Sequence, residues 1–79
     1  MVTVHREAGL RFVIYTDDHL PAHVHVHGDG SAKIPLAGSD GTPEIVRCDG
    51  MKGSDIRKAM QIVADHQDHL FQYWRKLNG

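Results

Sequence analysis

The chain contains one cysteine, Cys48, three prolines, and no apolar run approaching the roughly 20 residues that a membrane-spanning helix needs. A single thiol excludes an internal disulfide framework, so stability has to come from packing, helped by a partner or a bound ion. The start, Met1-Val2-Thr3-Val4-His5-Arg6, lacks the apolar stretch of a secretory signal. Neither secretion nor membrane association is expected, and a reducing cytoplasmic location is. Excess charge of one sign is also missing: nine Lys and Arg face ten Asp and Glu, a net charge of -1 with histidines neutral. That balance argues against a protein that grips long nucleic acid mainly through massed phosphate contacts, but it leaves room for a local basic site. With 79 residues there is room for one hydrophobic core, so a single domain over residues 1–79 is expected.

What the chain has in abundance is histidine, seven residues in all, four of them (His19, His23, His25 and His27) within nine positions. Strand propensity gives histidine no special preference, so this density calls for an explanation. The surrounding periodicity shows how the residues are placed. Val2 and Val4 alternate with Thr3 and His5; Leu10, Phe12 and Ile14 alternate with Arg11 and Val13; Glu7-Ala8-Gly9 supplies a turn between the two runs. Polar residues 16–22, with Pro21, form a loop, after which Val24 and Val26 alternate with the three histidines. Gly28-Asp29-Gly30 marks a turn, Ala32, Ile34 and Leu36 a fourth strand ending near Pro35, and Pro43 to Cys48 a short fifth.

Beyond Gly50 the period changes to that of a helix. Ile56, Met60, Val63, Leu70, Trp74 and Leu77 share one face, Ser54 can cap the start, and Arg75 and Lys76 suit the last turn. The pattern predicts an α+β fold, a small antiparallel sheet of four to five strands over residues 1–48 packed on one long C-terminal helix over about 54–77. About 24 helical residues span roughly 36 Å, whereas a strand of five or six covers about 17–20 Å. The helix therefore overhangs the sheet. His66 and Gln67 interrupt the apolar stripe, and the favoured reading is that the distal half with Phe71, Tyr73 and Trp74 meets a partner, for example a second copy, the alternative being a kink there that folds it back.

If Val24 and Val26 face the helix, His23, His25 and His27 share the opposite face. A three-residue turn at Gly28-Asp29-Gly30 sets His27 opposite Ser31 and His25 opposite Lys33. Antiparallel pairing with the second strand sets Arg11 opposite His27, Val13 opposite His25 and Tyr15 opposite His23. Three readings fit this face. His19, His23 and His25 can bind zinc or another divalent metal through a His-x-His pair plus one. The same three can act as general acid and base, with Lys33 and Arg11 steadying a phosphoryl group, as in a metal-free ribonuclease acting on an RNA substrate. Or the face is simply solvated. Lys33 beside His25 repels a cation and attracts phosphate, which favours the second over the first. His5, His66 and His69 are expected to be solvated or partly packed, and Cys48 to be a small buried hydrophobe.

The segment Asp18-His19-Leu20-Pro21-Ala22-His23-Val24-His25-Val26, with Phe12 to Tyr15 before it, Ala32-Lys33 after it and the Trp74 helix at the end, resembles the small bacterial domain-of-unknown-function family numbered 4160. Its hallmark is similar to Asp-His-x-Pro-Pro-His-hydrophobic-His, and carries over onto Asp18, His19, Pro21, His23 and His25, with Lys33 a weaker correspondence. Ala22 departs from the second proline, and His27 lies outside the hallmark. The resemblance implies a gene beside that of a second small protein, from the family numbered 2442, in pairs that look like toxin–antitoxin modules. It implies no established reaction. Together these readings make the chain a toxin-like component with an antitoxin-like partner and a histidine-based ribonuclease site at His19, His23, His25 and Lys33. The alternative is a non-catalytic protein- or metal-binding module.

Overall fold

The computed structural model describes residues 1–16, 21–36 and 47–78. Strands β1 (Val2–Glu7), β2 (Leu10–Ile14), β3 (His23–His27), β4 (Ser31–Pro35) and β5 (Arg47–Asp49) form one antiparallel sheet in chain order, followed by helices α1 (Gly53–Asp65) and α2 (Gln67–Asn78). This is the α+β architecture that the two periods predict. Within the stretch expected for the fifth strand, Arg47 and Cys48 belong to β5, and residues 43–46 lie outside the described residues.

Two tight turns set the register. At Ala8-Gly9 both residues have positive φ, 54° and 76°, the conformation whose twist matches that of the flanking strands. At Gly28-Asp29-Gly30 three residues connect His27 to its partner Ser31. A side chain at Gly30 would stand 2.4 Å from the carbonyl carbon of Gly50 and 2.5 Å from Met51 N, so glycine there lets the chain after β5 pass against the turn.

β1 departs from simple alternation. Val2 pairs with Ile14 and Thr3 with Val13, but the next pair is His5 with Phe12, which makes Val4 the extra residue of a β-bulge. Beyond it Arg6 pairs with Arg11 and Glu7 with Leu10. His5 and Glu7 therefore turn to the face that carries Phe12 and Leu10, and Arg6 to the opposite face.

The core joins Leu10, Phe12 and Ile14 of β2, Val24 and Val26 of β3, Ala32 and Ile34 of β4, and Leu36 to Ala59, Ile62 and Val63 of α1 and Leu70 and Trp74 of α2. Each fully buried side chain of this size contributes about 1.5–3 kcal/mol of transfer free energy. The N-cap falls two residues before the expected Ser54: it is Lys52, without a side-chain capping bond, and Asp55 lies in the first turn. Between the two helices stands His66, with φ -116° and ψ 19°. Its N–H still donates to the Ile62 carbonyl, and its carbonyl accepts from Leu70 N–H. The break is thus a local kink, and it settles the overhang by folding the distal half back. Gln67 Nε2 donates to the Leu36 carbonyl and Asn78 Nδ2 to the Tyr15 carbonyl at 3.0 Å. Phe71, Tyr73 and Leu77 pack against the same core. Among the described residues no helix is long and apolar enough to cross a membrane.

Candidate functional site

Alternation along β3 divides its side chains between two surroundings. Val24 and Val26 are fully buried in the core, so His23, His25 and His27 take the other face. The pairing agrees with the expected register: Arg11 opposite His27 and Val13 opposite His25 on one side, His25 opposite Lys33 and His27 opposite Ser31 on the other. Following the pairs outward extends the face. Lys33 is opposite Arg47 on β5, and Arg11 is opposite Arg6 on β1. Since directly paired residues share a face, His25, Lys33 and Arg47 form one row across three strands, and Arg6, Arg11 and His27 form a second. Neighbouring strands lie about 4.8 Å apart, a spacing at which like charges repel.

Four of the chain's nine basic side chains, Arg6, Arg11, Lys33 and Arg47, therefore gather on one side of a molecule with a net charge of -1. Asp49 offsets part of this by accepting from Arg47 Nε at 3.1 Å, an exposed pair screened by solvent. Among the described residues neither Arg11 nor Lys33 is held in an ion pair. Arg6 and Arg47 escaped the sequence reading because their membership depends on the β1 bulge and on the β4–β5 register.

The imidazoles are not equivalent. His23 is 1 % exposed; its ring stands 5.1 Å from Trp74 and 5.0 Å edge-on from His25. His23 Nδ1 lies 2.8 Å from the Pro21 carbonyl oxygen. A carbonyl can only accept, so Nδ1 carries a proton and donates it to Pro21. His25 is half-buried, packed edge-on at 4.6 Å against Tyr15. His27 Nε2 is buried with no hydrogen-bond partner among the described residues. Val13, on the same face, is fully buried yet outside the main core cluster, so this face is not a plain solvated surface. The structure thus brings His23, His25 and Lys33 together, while His19 lies outside the described residues.

One expectation is corrected. Cys48 is exposed on the short strand β5, not buried; its Sγ lies 3.8 Å from the Met51 carbonyl oxygen. His5 and His66 are half-buried, in keeping with the expectation that they are partly packed; in addition both stand beside Glu7, and the three offer donor atoms all within 4.8 Å of one another. The bulge that turns His5 inward leaves no mark in the residue pattern. Among the described residues this trio is the set of three donor side chains that stand within 4.8 Å of one another; a β3 set that includes His19 falls outside the described residues.

The family model described as "Domain of unknown function (DUF4160)" matches residues 9–75. No curated protein and no solved structure matches the chain.

Proposed function

The chain belongs to the DUF4160 family, and on that premise we propose that it is the toxin-like component of a cytoplasmic two-protein module, acting as a histidine-based ribonuclease on the outer face of its sheet. The observation that carries this reading is the pair of cross-strand rows, His25–Lys33–Arg47 and Arg6–Arg11–His27. Like charges placed opposite one another are unfavourable in a free sheet, and an anion such as a phosphodiester relieves them. Lys33 lies directly opposite His25, which disfavours a divalent cation at that histidine and favours a phosphate.

Roles follow from exposure. His25, half-buried and reachable, is the proton-transfer group: it takes the ribose 2′-hydroxyl proton as that oxygen attacks the adjacent phosphorus. Lys33 and Arg47 stabilise the charge that builds on the phosphoryl oxygens. The bond to the 5′-oxygen breaks, and that oxygen receives a proton from His19, the remaining histidine of the motif. His23, buried and fixed by the Pro21 carbonyl, positions the His25 ring and does not meet substrate. An antitoxin-like partner would neutralise the same face with carboxylates.

A second reading, a non-catalytic binding module, is favoured by one observation: His23 is sealed from solvent, so only one imidazole of the His-x-His pair is accessible. Induced expression in bacterial cells separates the two. Wild type should arrest growth, and His25→Gln and Lys33→Gln, each verified as folded by circular dichroism, should not. Arrest by the folded variants, or none by wild type, would remove the enzymatic reading.

A further inference from the structure

We propose that His5, Glu7 and His66 form a binding site for a divalent transition metal of the zinc class, placed where the edge strand β1 meets the kink between the two helices. Two irregularities, distant in sequence, converge on it. The bulge at Val4 turns His5 and Glu7 to the helix side of the sheet, and the single non-helical residue between α1 and α2 is His66. Without the bulge, His5 would point to the opposite face, away from His66.

The geometry is close to what such an ion needs. Tetrahedral coordination with bonds of about 2.0–2.1 Å places neighbouring donors roughly 3.3–3.4 Å apart. Glu7 Oε1 lies 2.9 Å from His5 Nε2 and 3.6 Å from His66 Nε2. The two rings stand 4.4 Å apart between centroids, and all three donors fall within 4.8 Å of one another. Side-chain movements of up to about 1.5 Å close the set around one point. Two imidazoles and a carboxylate leave a fourth position for water, and this donor set suits zinc, cobalt or iron better than calcium or magnesium.

Burial supports the same use. His5 and His66 are half-buried and so limited in movement, whereas Glu7 is exposed and free to adjust. An open cleft beside the kink, lined in part by Asp65, His66, Gln67, Asp68 and His69, reaches the site at His66 and adds two carboxylates that attract a cation. The Nε2–H of His5 donates to Glu7 Oε1. Coordination through Nε2 requires the other tautomer, with the ring proton on Nδ1. The bound ion would tie β1 to the kink and hold α2 in its folded-back position.

The test uses the full chain without an affinity tag, titrated with Zn2+ by calorimetry and with Co2+ by visible absorption. One equivalent should bind, Co2+ should give the intense bands of tetrahedral coordination, and saturating Zn2+ should raise Tm by at least about 5 °C. Glu7→Gln, at an exposed position where folding is not at stake, and His66→Gln should each weaken binding by more than the roughly 10–100-fold that losing an outer hydrogen-bond partner costs. His25→Gln should bind like wild type. Absence of binding, unchanged binding in Glu7→Gln, or loss confined to His25→Gln would overturn the assignment. The last outcome would move the metal to the β3 histidines.

Discussion

His23 and His25 are two positions apart in one strand, yet their surroundings give them opposite parts. His23 contributes packing against Trp74 and a bond to the Pro21 carbonyl; His25 stands half-exposed between Val13 and Lys33. Truncating the first removes buried volume and leaves a carbonyl without its donor, so His23→Ala should cost about 2–3 kcal/mol of stability. His25→Gln, which gives up the edge-on contact with Tyr15, should cost about 1 kcal/mol or less. Urea denaturation of both variants checks this. Equal losses would mean that the two rings are equally structural, and the division of roles proposed above would not hold.

Among the elements, those that were legible in the sequence are the ones whose pattern has a single solution. Val24 and Val26 allow one facing of β3, and the three-residue turn at Gly28-Asp29-Gly30 allows one pairing with β4, so His25 opposite Lys33 could be read directly. β1 could not be read so, because Val2, Thr3, Val4 and His5 satisfy alternation equally well with or without an extra residue, and the bulge is chosen by contacts with Phe12 and the helix kink. The same bulge hid Arg6 from the basic rows and His5 from its meeting with His66. The kink itself was marked by His66 and Gln67 in the apolar stripe, but choosing fold-back over a partner required Leu70 and Trp74 to be seen inside the core. Ala59 and Ile62 were missed as core residues because the buried face of α1 is centred nearer to Ile62 than to Met60. The β1–β2 turn carries a local cost: Ala8 holds a left-handed φ of 54°, a conformation unfavourable by about 1–2 kcal/mol for most side chains. Asparagine tolerates it and favours this turn. Ala8→Asn should therefore stabilise the protein by about 0.5–1 kcal/mol and raise Tm by a few degrees, measurable by calorimetry. A lower Tm would contradict the turn geometry.

For the whole molecule, the near-neutral net charge conceals its distribution: the outer face of the sheet carries Arg6, Arg11, Lys33 and Arg47, and Asp49 is already engaged with Arg47. A face that contacts about three to four phosphates should bind single-stranded RNA with log K falling by roughly 2–3 per tenfold rise in salt. Lys33→Gln should reduce that slope by about 0.7. Binding indifferent to salt would mean that this face does not meet phosphate. The most direct test of the central claim is the rate at which the purified, tag-free protein cleaves single-stranded RNA in the presence of EDTA, compared with His25→Gln. Cleavage by the wild type that leaves 2′,3′-cyclic phosphate ends and falls at least about 100-fold in the variant is the predicted result. No cleavage by the wild type, or equal rates for the two proteins, would contradict it.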